Sequence, residues 1–235
     1  MSMTGKKVLR RMITTLALCL CTTVAHGEDV RLFVMGGGSS LFNQNTFTQN
    51  SQSWRSDYAT GGKLIVGGEV PLNKIIAIEA AYSFGHNNPR ITNLTASPNT
   101  MTGYDVDNRR VSGDLVVHAP KSTLGLRPYL VAGLEYDRFS PTSVGMSAAS
   151  TSGFAGTPDV TLTADNKFGF NYGGGIEWKM ARILGLRFDV RDHLTGSPHF
   201  GLASMATATE PAVFPVSGIA HGLEYSAGLV FRLGK

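Results

Sequence analysis

The sequence predicts an all-β fold, an eight-stranded antiparallel up-and-down transmembrane β-barrel, and three observations support this. Eight segments alternate between apolar and polar residues with a period of two, as strands do because successive side chains point to opposite faces. The connections between these segments alternate between short and long. The apolar face is also too bulky for the interior of an eight-stranded barrel, which has room only for side chains or one small ligand.

The first 27 residues have the pattern of a secretory signal peptide. Four basic residues among the first eleven precede an apolar run at 13–24, and a small-x-small sequence follows at 25–27. This order of basic, apolar and small residues is typical of a cleaved signal. We predict cleavage after Gly27, with cleavage after Ala25 as the alternative. The signal peptide is therefore 1–27, and the barrel domain is 28–235.

Removal of this leader changes the charge balance. The chain has 21 basic and 17 acidic residues, and the leader holds four of the basic ones and none of the acidic ones. The remaining chain has equal numbers of both, so its charge gives no reason to expect nucleic-acid binding. Cys19 and Cys21 are both in the leader. The mature chain is therefore expected to have no disulfide and no Cys-ligated metal, and we predict no cofactor.

The eight predicted strands follow one another along the whole mature chain. They cover residues 30–40, 60–70, 75–84, 106–118, 126–136, 167–179, 184–192 and 223–233. The alternation is weakest in the first of them, because the glycines at 36–38 obscure the difference between its two faces.

The segment 165–193 shows the alternation most clearly and is predicted to be a hairpin with a turn at 180–183. One face carries large aromatic and aliphatic side chains, and the other carries glycines and charges. Each arm has the roughly 9–11 residues that a tilted strand needs to cross a bilayer. We therefore predict that the apolar face contacts lipid. The residues assigned to this face are Ile76, Ile78, Leu115, Ala132, Leu134, Phe170, Phe188, Leu229 and Phe231.

The opposite assignment would describe a soluble barrel. A periplasmic lipocalin-like carrier of apolar ligands would place the same aromatic face inward. Phe168, Phe170, Tyr172, Trp178 and Phe188 from two strands alone would overfill so small an interior. The glycines also suit a crowded lumen better than a surface in water, so this carrier is the less favoured interpretation.

The connections indicate how the barrel is oriented. The short ones cover residues 71–74, 119–125 and 180–183. The long polar ones cover residues 41–59, 85–105, 137–166 and 195–220. In an up-and-down barrel the short turns lie at one end and the long loops at the other. Short periplasmic turns with four long outer loops are the pattern of outer-membrane proteins, and a closed barrel leaves no unpaired strand edge in lipid.

This arrangement resembles the small outer-membrane barrels of the OmpA transmembrane domain and OmpX type. The resemblance rests on the order and spacing of RPYLVAG at 127–133, GGGIE at 173–177, LRFDVRD at 186–192 and YSAGLVF at 225–231. It implies a bacterial outer-membrane location, a monomer, and contact with outer-membrane lipid and lipopolysaccharide. It also implies that the barrel-assembly machinery recognises the C-terminal strand.

Charged residues that share the face opposite the lipid are predicted to form a structural network in the lumen, since buried charges are tolerated when they are paired. Within it, a five-residue turn from Met180 to Leu184 would place Glu177 opposite Arg187, whereas a three-residue turn would place Glu177 opposite Gly185 and leave Arg187 diagonal but within reach. We predict an ion pair between Glu177 and Arg187. The predicted network consists of Lys63, Glu69, Glu79, Arg110, Asp114, Glu135, Asp137, Glu177, Lys179, Arg187, Asp189, Arg191, Glu224 and Arg232.

Catalytic alternatives are weaker. Glu135 and Asp137 share a face and could in principle do acid–base chemistry, but cations of the same parity can pair with them. No GxSxG motif is present, and no histidine outside the leader has a ligand-like partner at close spacing. We predict a protein that is not an enzyme and that acts structurally or by surface interaction, through its four long extracellular loops. A narrow, low-conductance pore is the alternative.

Overall fold

The computed structural model describes residues 30–42, 44–120, 122, 124–152, 155, 157, 159–203 and 218–234. The predicted signal peptide and its cleavage site lie outside these residues. Within the described ranges, no helix combines the length and the apolar character needed to cross a membrane.

The described residues form twelve strands and one helix. In chain order these are β1 (Val30–Phe42), β2 (Asn45–Gln49), β3 (Gln52–Tyr58), β4 (Gly61–Pro71), β5 (Ile76–Asn87), β6 (Pro89–Asn93), β7 (Thr100–Gly103), β8 (Val106–His118), β9 (Leu126–Pro141), α1 (Ser143–Ser152), β10 (Asp165–Lys179), β11 (Leu184–Gly196) and β12 (Ile219–Leu233).

Eight of these strands close into an antiparallel barrel, which confirms the predicted fold class. Around the barrel their order is β1, β12, β11, β10, β9, β8, β5 and β4, and β4 pairs with β1 to complete the ring. Each strand thus lies beside the barrel strand that precedes or follows it along the chain. The turns β4–β5, β8–β9 and β10–β11 lie at one end, here named the short-turn end, and the other connections lie at the long-loop end.

The strand β8 illustrates why this sequence forms a barrel wall. Its residues alternate between buried and less buried positions from Val106 to His118. Arg110 and Asp114 are almost completely buried, whereas Leu115 is half exposed. In the middle of this strand, Arg110 and Asp114 therefore point into the barrel and Leu115 points outward, which is the reverse of a soluble barrel.

The long connections are more ordered than the polar loops predicted for them. Residues of the first two form a separate four-stranded sheet in the order β2, β3, β6, β7, and the third contains α1. These segments form strands and a helix because isolated apolar residues within them, among them Trp54 and Ile91, pack together. Each segment is too short and too polar to show a recognisable period by itself.

These elements form a cap over the long-loop end. Trp54, Ile91 and Tyr104 of the cap are buried in one apolar cluster together with Leu41, Val106 and Phe139, which are lumen-facing residues near the ends of β1, β8 and β9. The Trp54 indole donates a hydrogen bond to the Gln49 carbonyl at 3.1 Å. Burial raises the pKa of the Tyr104 phenol above its usual range, as expected for a hydroxyl among apolar groups. The cap therefore has its own core, continuous with the barrel.

Candidate functional site: the charged lumen

The centre of the lumen is occupied by an ion pair that joins opposite walls of the barrel. Arg187 on β11 places its Nη1 2.7 Å from Oε2 of Glu79 on β5. These two strands are four places apart in either direction around the eight-stranded ring. Because both side chains are almost fully buried, their contact lies across the full width of the barrel interior.

Arg191 extends this pair into a cluster. Its guanidinium lies 2.7 Å from Glu79, 2.9 Å from Asp114 and 2.8 Å from Asp189. Asp189 also lies 3.1 Å from Arg187. Each arginine therefore contacts at least two carboxylates, as buried charges require. We name Glu79, Asp114, Arg187, Asp189 and Arg191 the central cluster.

The Arg187 guanidinium is also held by two aromatic rings. Its Cζ lies 4.6 Å from the ring centre of Phe33 and 4.5 Å from that of Tyr129. Its Nε donates a hydrogen bond to the Tyr129 hydroxyl at 2.6 Å. The planar guanidinium favours such stacking, so the position of this side chain is fixed by packing as well as by charge.

Towards the long-loop end, a second cluster surrounds Glu224 and Arg110. Lys63 lies 2.8 Å from Glu224, and Arg110 lies 2.8 Å from Asp137 and 3.3 Å from Glu224. His193 contacts Glu135 at 2.6 Å. These residues come from β4, β8, β9, β11 and β12, so the cluster ties together most of the barrel circumference.

Towards the short-turn end, a third cluster closes the lumen. Glu69 contacts Arg31 and lies 2.7 Å from His118, while Glu177 contacts Arg232 and lies 4.0 Å from Arg31. Arg187 lies 3.7 Å from Glu69 and so connects this cluster to the central one. Charged groups therefore occupy the lumen at three successive levels.

Two of the predictions about these residues were wrong. Lys179 has the predicted parity but is exposed, because it is the last residue of β10 and lies at the rim, beyond the enclosed part of the lumen. Glu177 and Arg187 are directly opposite as predicted, but they do not form the predicted ion pair. Their carboxylate and guanidinium groups turn to partners on other strands.

The other predicted lumen residues all lie inside the barrel. Thirteen of them are 8% exposed or less and take part in the three clusters. Sequence reasoning left out Arg31, His118, Arg127, Tyr129 and His193, which are also buried there. Parity would have identified most of them; Arg31 was missed because the glycines of β1 blur its alternation.

The clusters leave little free space between them. A cavity of about 20 Å³ lies between the central cluster and the one nearer the long-loop end, lined by Met35, Ile65, Arg110, Arg191 and His193 among others. A single water needs at least roughly 10–15 Å³ by such a measure, so this cavity holds about one water. Among the described residues, no group of three His, Cys, Asp or Glu side chains is placed to hold a metal ion.

The structure places all nine residues assigned to lipid on the outer face of the barrel. Leu134 is 71% exposed, and Ile76 is half-buried near the short-turn end. Phe168, at 81%, is the most exposed aromatic residue of the wall. Large apolar side chains exposed in this way on all sides of the barrel form a lipid-facing belt. The lipocalin-like alternative has no support, because the aromatic side chains lie outside.

Three solved structures are similar to this chain, and the first of them supports this architecture. The outer membrane protein OprG from Pseudomonas aeruginosa superposes with a TM-score of 0.56 at 10% identity, over 87% of this chain and 96% of that one. Neisserial surface protein A gives a TM-score of 0.48 at 14% identity, over 87% and 97%. The N-terminal β-barrel domain of Pseudomonas aeruginosa OprF gives 0.42 at 15% identity, over 86% and 97%.

The sequence itself identifies the family. No curated protein sequence matches this chain significantly. The family profile described as outer membrane protein beta-barrel domain, however, matches residues 12–233, which is nearly the whole chain and all eight barrel strands. The chain therefore belongs to the outer-membrane β-barrel domain family.

Proposed function

We propose that the protein is a closed anchor in the bacterial outer membrane that holds its cap outside the cell for interaction with other molecules. The observation that carries this proposal is the Arg187–Glu79 contact across the lumen at 2.7 Å. Because the strands that bear these residues face each other across the ring, their side chains occupy the space that an aqueous path would need.

The filled interior argues against transport through the lumen. Barrels with an aqueous channel have roughly 16–18 strands, whereas eight strands leave a lumen that side chains can fill. Here three layers of ion pairs and the apolar cluster beneath the cap fill it. A continuous file of water is therefore not expected, and a structural or surface-interaction role is favoured over the pore.

The outer face supports insertion into the membrane as a monomer. Its exposed apolar residues lie on every strand of the ring, and none of the ring's strands has a free edge. We therefore expect lipid and lipopolysaccharide to surround a single barrel. The last strand, β12, closes the ring by pairing with β1. We also expect the barrel-assembly machinery to recognise this strand.

The cap supplies the surface that we propose contacts other molecules outside the cell. Met101 on β7 and Val144 and Met146 on α1 are exposed large apolar side chains on two neighbouring elements of the cap. Exposed loops carried by a rigid scaffold are common sites of binding, and exposed apolar side chains favour contact with another macromolecule.

Cysteine labelling on intact cells tests this arrangement. The two cysteines of the sequence lie in the predicted leader, so a single introduced cysteine gives an unambiguous signal. Met101→Cys on the cap is expected to react with a membrane-impermeant maleimide added to intact cells. Arg182→Cys in the exposed turn between β10 and β11 is the matched control, and it is expected to react only after permeabilisation. The reverse pattern, or equal labelling of both, would contradict the proposal.

A further inference from the structure

Two arginines lie side by side on the outer wall near the long-loop end. Arg109 on β8 and Arg138 on β9 are directly opposite each other in the strand register. Both side chains point away from the lumen and are exposed. Like charges at directly opposed cross-strand positions repel each other and destabilise the pair. An anion between them or close by would remove this repulsion.

The described residues do not supply that anion well. The nearest carboxylate to Arg109 is Asp107, at 3.9 Å, and Asp107 is also 3.2 Å from His86. Arg138 donates only a long hydrogen bond, 3.5 Å, to the amide oxygen of Asn166, and no described carboxylate lies within 4.0 Å of it. By contrast, the lumen arginines Arg187 and Arg191 each have a carboxylate at 2.7 Å.

A second set of polar residues on the outer wall, Tyr172, Asp192 and His221, forms hydrogen bonds and ion contacts among its own members. The Tyr172 hydroxyl donates a hydrogen bond to Asp192 at 2.9 Å, and His221 lies 3.2 Å from the same carboxylate. Outward polar residues of this barrel can therefore pair with one another on the outer wall. The arginine pair differs because both of its side chains are cationic and neither has a close acidic partner.

The arginines lie at the upper edge of the lipid-facing belt. On the same face, Val111 is the next outward residue below Arg109, and Tyr136 is the next below Arg138. The Tyr136 ring lies 5.0 Å from the Phe168 ring, and the Arg109 guanidinium lies 5.8 Å from the Phe84 ring. Aromatic girdles mark the boundary between the hydrocarbon core and the headgroups, so the guanidinium groups are at headgroup level.

We propose that Arg109 and Arg138 together bind a phosphate group of a phosphorylated glycolipid in the outer leaflet. Two guanidinium forks can offer parallel N–H donors to phosphate oxygens, and such charge-assisted bonds are strong and geometrically selective. The phosphate would also remove the repulsion between the two arginines. This proposal rests on the orientation given under Proposed function, with the long-loop end facing out of the cell.

Native mass spectrometry of the purified full-length protein in detergent tests this site. The protein is titrated with diphosphoryl lipid A and, separately, with the same lipid after removal of both phosphates. Wild type is expected to bind the phosphorylated form preferentially. Arg109→Gln with Arg138→Gln is expected to lower its affinity for that form about tenfold or more, a loss of at least one charge-assisted contact, and to leave binding of the dephosphorylated form unchanged.

The matched control removes two cations elsewhere. Lys179→Gln with Arg182→Gln changes the charge by the same amount at the short-turn end, where both residues are exposed, and is expected to bind lipid A as the wild type does. A single Arg138→Gln variant is expected to show a smaller loss and serves if the double variant does not fold. Heat-modifiable migration on a gel establishes folding in each case.

Three results would overturn the phosphate site: equal lipid affinity in wild type and the folded arginine variants, an equal loss in the control, or displacement of the lipid by equimolar inorganic phosphate. The last would indicate a site for free phosphate rather than for a lipid headgroup. Because this binding is measured in detergent, its failure is distinguishable from failure of the cysteine labelling, which tests the location of the cap in cells.

Discussion

Glu177 and Arg187 occupy directly opposite positions on β10 and β11, yet each pairs with a different residue. Glu177 contacts Arg232 on β12, and Arg187 reaches across the lumen to Glu79. The rings of Phe33 and Tyr129, whose centres lie 4.6 Å and 4.5 Å from Cζ of Arg187, help to hold its side chain in that position. In a barrel this narrow, a long side chain can reach the far wall, so its nearest neighbour in register need not be its partner.

A pair of double-mutant cycles should separate these two relationships. We expect Glu79→Gln and Arg187→Gln each to destabilise the barrel by about 3–5 kcal/mol, because each leaves a buried charge without its main partner. Their effects should be strongly non-additive. The cycle of Glu177→Gln with Arg187→Gln is the control and should show a clearly smaller coupling, because these two side chains share a network through Glu69 and Arg31 but form no ion pair with each other. Urea unfolding in lipid vesicles measures the coupling free energy of each cycle. A larger coupling for Glu177 with Arg187 than for Glu79 with Arg187 would show that the lumen partners are wrongly assigned.

The lipid-facing belt should be sensitive to depth. Phe188→Arg and Leu115→Arg, both at outward positions within the belt, should each cost about 2–4 kcal/mol of stability in a bilayer. Ile219→Arg makes the same kind of change at an outward position near the long-loop end, and it should cost only about 0–1 kcal/mol because the side chain is near the interface. The same unfolding assay applies, and equal costs at all three positions would disprove the assignment of the belt.

Two neighbouring glycines should respond in opposite ways to alanine. A Cβ on Gly133 would lie 2.1 Å from the Asp114 carboxylate and 2.4 Å from the Gly113 carbonyl, so Gly133→Ala should destabilise the barrel by about 1–3 kcal/mol through overpacking. Gly113 faces outward and a Cβ there would meet nothing within 4 Å. Gly113→Ala should therefore be neutral or stabilising. The free energy of unfolding of each variant, measured with urea in lipid vesicles, tests this difference. An equal change in both variants would contradict the crowding of the lumen.

The cap should open without the barrel when its core is damaged. Trp54→Ala removes a large buried side chain from the apolar cluster, a type of change that costs about 3–5 kcal/mol. Met101→Ala, at a position that is 59% exposed, is the control and should have little effect. Limited proteolysis of the folded protein should cut the Trp54→Ala cap quickly and the control slowly, while both barrels keep their heat-modifiable migration. Loss of the barrel itself would show that the cap is not a separate unit of stability.

The barrel and the faces of its strands could be predicted from the sequence because both follow from local patterns. A period of two is visible within a single strand, as in β8, and it identifies Arg110 as inward and Leu115 as outward without knowledge of any neighbour. The register of Glu177 and Arg187 followed from the length of one turn. These are properties of one or two adjacent segments.

The partners inside the lumen and the cap could not be predicted in this way. Parity places Glu79 and Arg187 on the inner face but does not say that β5 and β11 lie opposite each other at the same height. Trp54, Ile91 and Tyr104 are separated along the chain by polar residues, and their common core exists only after the two connections that carry them have come together. The end of the enclosed lumen, which leaves Lys179 exposed, likewise depends on the tilt of the whole barrel.

The most direct test of the closed lumen is electrical. Purified full-length protein, with its folding verified by heat-modifiable migration, is inserted into planar lipid bilayers beside a 16-stranded porin as the positive control. We expect a current indistinguishable from that of the bare bilayer, since ion pairs at three levels and the cap core occupy the interior. A large and steady conductance from this protein would contradict the closed lumen.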